Sequence, residues 1–384
     1  MRVYMDNSAT SFPKPPCVVN AITHYMTGMG TNVSRSTSQA ASATGNQIFI
    51  LREKLCKLFG GDSSRNVVFT KNITEAFNII THSYIKEGDK VLISSLEHNA
   101  VTRPLTQAGA EIISIPVSQN GVMDLDFARE NMKGAKAVFC THASNVSGDL
   151  MPIRELAEIA NLHQVPFILD AAQTAGLFDI NIGELGIDCL CFTGHKALLG
   201  PTGTGGIVMT NDFAKKLNPF ITGGTGSQSD HEVHPTLMPD KLEAGTPNIV
   251  GLVGLLAAID YLEEKTIKKT FETESQIGQY FYEKLKTIPG IKIIGSCDYK
   301  NKPPVFSIDF SPKDNAEISY LLSSVYNIDN RTGMHCAPRA HKTYHTYPQG
   351  TVRLSLSAFT TREEVDYVVE SLKKVLAEAK DIGA

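Results

Sequence analysis

Seven short apolar runs punctuate residues 66–210 of the chain, at 66–70, 90–94, 111–115, 137–141, 166–170, 189–193 and 206–210. They are near-continuous rather than alternating, the pattern of strands covered on both faces. Helical periodicity fills the intervals. The arrangement predicts an α/β fold in which a mostly parallel sheet is wrapped by helices. In such sheets ligands bind beyond the carboxyl ends of the strands. Those ends carry Thr74, His98, Asn145, Asp170, Gln173 and Lys196, so polar groups collect at one edge.

Beyond the sheet the pattern changes. Residues 223–239 are rich in Gly, Ser, Asp, His and Pro and read as a long mobile loop. A helix around 249–264 is expected to open a smaller α+β unit, continuing through helical 280–286 and strand-like 291–294 and 305–310. Thr361-Arg-Glu-Glu364 is a capping box, and Val365, Val368, Val369, Leu372 and Leu376 form one apolar stripe behind it. The expected division is a large unit over 14–250 and a small α+β unit from 1–13 with 251–384.

Composition narrows the class. The chain has 384 residues, 42% apolar and 20% charged, with a net charge of −4, which suits two compact units rather than one core. No basic excess points to nucleic acid. The start of the chain lacks the apolar core of a secretory signal, and the apolar run 249–259 is too short to span a bilayer. Seven cysteines without regular spacing suit a reducing cytoplasm better than a disulfide framework. A cytoplasmic protein is expected, with neither membrane nor nucleic acid as partner.

The chemistry centres on Lys196, which follows an apolar run in Thr193-Gly-His-Lys196 and precedes the glycine-rich 200–206. The earlier run 166–170 ends on Asp170 and leads into Ala-Ala-Gln173. An amine and an acid at neighbouring strand ends are the pair that pyridoxal phosphate needs: one forms the Schiff base, the other keeps the pyridine nitrogen protonated. The segment 200–206 lacks the endings of nucleotide-binding loops and is expected to be a tight turn letting backbone approach the lysine. Asn72 can cap the helix that follows, leaving the amides of Ile73 and Thr74 and the Thr74 hydroxyl for an anion; a plain helix cap would look the same. Lys71 reads as a solvated charge, and Cys189 and Cys191 as core. His98 is either a surface histidine or a ring stacked on a cofactor and exchanging protons with substrate.

Arg331-Thr-Gly-Met-His-Cys336 is the second strong signal. A cysteine after His335, in a loop with Gly333 and Arg331, is placed to act as a thiolate. Its alternatives are a half-buried free thiol, or a zinc site with His341 and His345. Arg353, in a strand-like segment, is either paired internally or offers its planar fork to an α-carboxylate. Residues 241–248 read as a surface loop.

Taken together these motifs resemble fold-type-I pyridoxal-phosphate enzymes of the class V aminotransferase group, in the cysteine desulfurase and selenocysteine lyase branch. The resemblance runs nearly end to end, through Asp6-Asn-Ser-Ala-Thr10, Thr74-Glu75, Glu97-His98, Ser144-Asn145, Asp170-Ala-Ala-Gln173, Thr193-Gly-His-Lys196, Glu243-Ala-Gly-Thr-Pro-Asn248, the Cys336 motif and Val352-Arg353. It implies that Lys196 is the Schiff-base lysine, that His98 stacks on the ring, that Asp170 pairs with its nitrogen and that Gln173 touches its hydroxyl. Ile73 (through its amide), Thr74, Thr193 and His195 would hold the phosphate, and Thr246 would reach the phosphate of a neighbouring subunit, which implies a homodimer with shared sites. Asn145 belongs to both the cofactor and the substrate sets, holding the substrate carboxylate with Arg353 while Arg331 stands nearby. Cys336 would take sulfur from L-cysteine as a persulfide and hand it to an acceptor protein, leaving L-alanine. No metal is implied.

The chain departs from the family pattern at Asn72, at 32–38, at Lys241 and at Met334, which bears on substrate and acceptor rather than on cofactor. Two other readings stand beside the desulfurase: a selenocysteine lyase, or another carbon–sulfur or carbon–selenium lyase of the same family, and an inert sulfur-carrier or regulatory dimer.

Overall fold

The computed structural model describes residues 2–33 and 38–379. Of the departures named above, 34–37 lie outside these residues. All seven expected runs are strands of one sheet, in the order Val67–Thr70, Gly205–Met209, Cys189–Thr193, Phe167–Asp170, Ala137–Thr141, Lys90–Ser94 and Glu111–Ile115. The pairs from Cys189–Thr193 to Glu111–Ile115 are parallel, and Gly205–Met209 runs against both its neighbours. The sheet is thus mostly parallel. Its register sets Thr141 beside Asp170 and Asp170 beside Cys191, which brings the carboxyl ends level.

Alternate residues of each strand feed two separate cores. Leu92, Val138, Leu169, Leu190 and Val208 join one apolar cluster, while Val91, Phe139, Ile168, Cys191 and Ile207 join another. A period of two with both faces apolar explains why these strands read as continuous runs. Cys189 and Cys191 lie together in the second cluster, fully buried. Glycine is required where the antiparallel strand enters: a Cβ on Gly205 would stand 2.9 Å from Asn72 backbone, and one on Gly206 2.6 Å from the Val68 carbonyl oxygen. These glycines serve close strand packing. Backbone approach at the lysine turn rests on Gly200, as expected, whose Cβ would meet the Gly194 carbonyl oxygen at 2.9 Å, and also on Gly176, whose Cβ would meet the Ala197 carbonyl oxygen at 2.7 Å.

A third cluster gathers Val3, Met5, Phe306, Leu354 and Val368 around a four-stranded antiparallel sheet. That sheet runs Arg331–Gly333, Thr351–Ser355, Val305–Asp309 and Lys292–Ile293. The strand Val3–Tyr4 pairs in parallel with Ile328–Asp329 beside it. Both bonds of the capping box form, Thr361 N–H to Glu364 Oε2 at 2.8 Å and Glu364 N–H to Thr361 Oγ1 at 3.2 Å. The helix Ile249–Lys265 lies where a helix around 249–264 was expected. Its Leu252, Leu255, Ala258, Ile259 and Leu262 belong to the first cluster, under the large sheet. Its Ile249 and Val253 pack instead against Tyr25 in a small separate cluster. Residues 223–239 form no helix or strand. Among the described residues no helix is long and apolar enough to cross a membrane.

Candidate active site

Asp170 closes its strand, and the turn after Cys189–Thr193 presents Lys196. Leu199 N–H returns to the Lys196 carbonyl oxygen at 2.8 Å, with Leu199 in the left-handed region, so the lysine sits on a tight turn. The Asp170 carboxylate is buried and accepts a hydrogen bond from Ala172 N–H at 2.8 Å. Burial pushes its pKa up to about 6, against the pull of that amide and of Lys196. Burial likewise brings Lys196 down to about 8, opposed by Asp170 and assisted by Arg353. Desolvation therefore outweighs the mutual attraction in both partners. An amine near 8 exchanges protons readily at neutral pH.

His98 caps the helix Asn99–Gln107, its Nδ1 accepting the Ala100 N–H at 3.0 Å. That bond places the ring proton on Nε2. Burial, then Lys196 and Arg353, lower its pKa to about 4, so the ring is neutral. Gln173 donates from Nε2 to the Ser8 carbonyl oxygen at 3.2 Å, and Thr193 Oγ1 to the Thr204 carbonyl oxygen at 3.4 Å. His195 anchors the N-terminal segment through its own carbonyl oxygen, which accepts from Ser11 N–H at 3.0 Å and Lys14 Nζ at 2.8 Å. Asn72 Oδ1 caps the helix Ile73–Tyr84 by accepting Glu75 N–H at 2.9 Å. Asn72 itself is extended, with φ −171° and ψ 171°, a conformation open to any residue. Lys71 is exposed and pairs with Glu75.

The cysteine side is built from other segments. Met334 accepts Ala337 N–H at 2.8 Å across a turn in which His335 (φ 47°) and Cys336 (φ 56°) are both left-handed. Neither is glycine, and such conformations cost about 1 kcal/mol or more each unless their surroundings hold them. Three contacts do. Asn145 Nδ2 donates to the His335 carbonyl oxygen at 2.7 Å, Asn99 N–H to the Cys336 carbonyl oxygen at 2.7 Å, and His335 Nε2 bonds Thr351 Oγ1 at 3.1 Å. The Asn99 bond seats the Cys336 turn directly on the helix that His98 caps. Cys336 itself is exposed.

Arg353 is 3% exposed and stands opposite Arg331 in strand register. Its Nη2 reaches Asp6 Oδ1 at 2.9 Å and its Nη1 the Asn145 carbonyl oxygen at 3.1 Å. Arg331 grips the same Asp6 carboxylate, Nη2 to Oδ2 at 2.7 Å. Thus Asn145, Arg331, Arg353 and Cys336 are brought together. Thr246 is not: it lies exposed across a surface cavity of about 500 Å³ from Lys71 and Glu75. Among the described residues no group of three or more His, Cys, Asp or Glu could hold a metal ion. His341 is buried, its Nδ1 bonded to Thr346 Oγ1 at 2.7 Å. Lys241, one of the departures, donates to the Ala214 carbonyl oxygen at 3.0 Å and is a packing residue here.

These residues fit a pyridoxal phosphate. Lys196 makes no side-chain hydrogen bond or ion pair among the described residues, and Asp170 is a buried acid with a single amide partner and no guanidinium beside it. The buried His195 Nδ1 and Arg353 Nε are without partners. Orphaned donors and acceptors at a site are the mark of a polar ligand that completes them. Sequence reading missed the role of Asp6, quoted in a motif yet given no task. The visible signal was an acid just past the short strand Val3–Tyr4; that two arginines some 325 and 347 positions later would meet on it was not visible. It also gave no task to Glu97, which is wholly buried, accepts Thr141 N–H at 2.7 Å and is pushed up by burial to about 8.

The open α/β sheet thus presents an amine and an acid at adjacent strand ends, a pair that fits an aldehyde cofactor. The Aminotransferase class-V family profile matches residues 3–368, and the chain belongs to that family. It is 30% identical over 382 residues to a probable cysteine desulfurase of Methanothermobacter thermautotrophicus, covering 97% of this chain and 94% of that protein. A cysteine desulfurase of Haloferax volcanii is 30% identical, with 96% and 88% covered. Among solved structures, an apo cysteine desulfurase from Thermococcus onnurineus NA1 superposes with a TM-score of 0.91 at 29% identity, covering 98% and 95%.

Proposed function

We propose that this chain is a pyridoxal-phosphate-dependent cysteine desulfurase that converts L-cysteine to L-alanine and takes the sulfur onto Cys336. The observation that carries the reading is the seating of the Cys336 turn on the helix capped by His98, beside Arg353. A nucleophile, a carboxylate anchor and a proton-transferring lysine then share one space. When bound, the cofactor supplies an electron sink for removal of the α-proton.

Everything else falls to the protein. Arg353 and Asn145 hold the substrate carboxylate, with Arg331 nearby. With the cofactor bound, Asp170 would pair with the ring nitrogen, His98 would stack on the ring, and Gln173 would meet its hydroxyl. Ile73 N–H, Thr74, Thr193 and His195 would hold its phosphate. Lys196 Nζ carries the α-proton. The Cys336 thiolate attacks the substrate sulfur: the Sγ–S bond forms as the Cβ–S bond breaks, and the electron pair left on carbon takes up a proton. The products are alanine and a Cys336 persulfide, which an acceptor protein would then reduce or relieve of its sulfur. Mass spectrometry of Cys336 after incubation with cysteine tests this directly. One added sulfur atom is expected; an unmodified thiol alongside continued alanine release would overturn it.

The two-unit division belongs to the same reading, with its boundary drawn after Lys265 because the preceding helix packs under the large sheet. We also infer a homodimer in which the exposed Thr246 loop of each copy completes the other's phosphate site. Light scattering should give twice the chain mass, and a monomer with full activity would dismiss the shared site.

A further inference from the structure

The helix Pro338–Thr343, which follows the Cys336 turn, docks Ala340 into the large-sheet core. The next residue, His341, is fully buried too, yet it is polar and one of its ring nitrogens is bare. An apolar side chain would fill that space without an orphaned nitrogen, so the ring calls for another explanation. We propose that His341 is a positioning residue for sulfur transfer: its ring braces His335 and the Met334 carbonyl from the buried side and holds the Cys336 turn in the form that presents the thiol to substrate. The inference rests on the desulfurase reading and adds a residue to it.

His335 at φ 47° and Cys336 at φ 56° are consecutive left-handed residues, neither of them glycine, and their surroundings must hold them there. Asn145 and Asn99 take the two carbonyl oxygens, each at 2.7 Å. The His335 ring has one hydrogen bond, Nε2 to Thr351 Oγ1 at 3.1 Å, and its buried Nδ1 has no partner among the described residues. Against that ring lies His341, with the two centroids 5.5 Å apart and the planes tilted by 45°. His341 Nδ1 is taken by Thr346 Oγ1 at 2.7 Å, which leaves its buried Nε2 open. Burial brings the His341 pKa down to about 4, opposed by the Met334 carbonyl, which therefore lies close to the ring. Burial first, then Arg353, also lowers His335. Both rings are neutral at neutral pH and pack without repulsion. With the Thr346 hydroxyl donating to Nδ1, the ring proton sits on Nε2, the nitrogen left for the Met334 carbonyl. That carbonyl is the acceptor that closes the turn, 2.8 Å from Ala337 N–H. One ring thus meets the turn at its first carbonyl and at its His335 side chain. The simpler alternative is that His341 only fastens Thr346, whose N–H returns to the His341 carbonyl oxygen at 2.9 Å. The two roles use opposite nitrogens of the ring.

The experiment compares wild type with His341→Leu, His341→Gln and His341→Asn, all supplied with pyridoxal phosphate. His341→Gln places an amide nitrogen where Nε2 stands, and His341→Asn places one where Nδ1 stands. In His341→Leu, Cys336 persulfide formed per alanine is expected to fall about tenfold, the scale of one buried hydrogen bond, with KM for L-cysteine unchanged because Arg353 and Asn145 are untouched. His341→Gln should restore the yield and His341→Asn should not. A yield in His341→Asn equal to or above that in His341→Gln overturns the proposal, and this comparison decides even where His341→Leu loses the fold. Amide hydrogen exchange supplies a readout that needs no turnover. The amides of Ala337 and Asn99, which close and seat the turn, should exchange about tenfold faster in His341→Asn than in His341→Gln, while that of Thr346 stays protected in His341→Asn. If wild type forms no persulfide, the desulfurase reading fails, and exchange alone decides the role of His341. Equal protection of Ala337 and Asn99 in the two variants overturns it there too.

Discussion

Asp170 ends its strand and Lys196 stands just past the end of the adjacent parallel one, 26 positions later in the chain and aligned by one strand register. Cys336 reaches the same neighbourhood from the other sheet. It sits in a turn with two consecutive left-handed residues, between the strands Arg331–Gly333 and Thr351–Ser355, and the helix Pro338–Thr343 after it docks Ala340 into the large-sheet core. Arg353 bonds the Asn145 carbonyl oxygen at 3.1 Å and helps lower the Lys196 pKa, so it links the two sides. The lysine side is positioned by a repeated backbone geometry that any parallel sheet supplies. The cysteine side depends on particular side chains. Asn145 is chief among them, since its amide holds the His335 carbonyl and its own carbonyl holds Arg353. The loop carrying Asn145 is tied in turn by Asp149, which accepts from Tyr344 Oη at 2.8 Å and Lys302 Nζ at 3.0 Å. Strength of position therefore comes from the sheet on one side and from a polar network on the other.

Four changes would break or sharpen this contrast. Lys196→Ala should have the largest effect, with alanine release falling by about 10⁴-fold or more, because both attachment and proton transfer are lost. Absorbance of the bound cofactor and its bleaching by borohydride check the attachment. Cys336→Ala should keep that absorbance while persulfide formation disappears and alanine release drops by about a hundredfold. Asn145→Asp replaces the amide donor facing the His335 carbonyl with an acceptor, so the turn loosens. Persulfide yield per alanine formed should fall about tenfold, the scale of one misplaced nucleophile contact. Were that yield unchanged, the backbone alone would suffice to place Cys336.

The smallest change concerns stability. Glu274 is buried, accepts Ala358 N–H at 3.2 Å, and is raised by burial to about 8. Its folded pKa lies above its ordinary 4.5, so the folded state holds the proton more tightly, and stability is lost as pH rises from about 4.5 through about 8. Glu274→Gln should remove most of that loss. The difference is a Tm gap of a few degrees between pH 6 and pH 8.5 that is present in wild type and narrowed in the variant. A pH-independent gap between the two proteins would mean that Glu274 is not the titrating group.

Much of this was legible in the sequence. The strand runs stood out because a doubly covered strand needs apolar residues on both faces, and Lys196 and Asp170 stood at their ends because strand ends are where such sheets bind. The Asn72 cap and the Thr361 capping box were local hydrogen-bond patterns, readable within four residues. The helix Ile249–Lys265 was recognised as a helix, but its packing against the large-sheet core was not read from the sequence. Its periodicity says that a face is apolar and not which surface covers it. The zinc alternative joined His341 to Cys336 through nearness in sequence, whereas the His341 ring is buried against Thr346.

Residue types and short-range spacing thus fixed the elements, their ends and the chemical character of the lysine side, because those depend on contacts within a strand, a turn or a cap. Tertiary structure alone decided that Asp6 would stand between Arg331 and Arg353, that Asn145 would grip the carbonyl of His335, and that Asn99 would receive the Cys336 turn. Each of these joins segments tens to hundreds of residues apart, and no local pattern encodes a bond whose two ends meet only when separate sheets have packed.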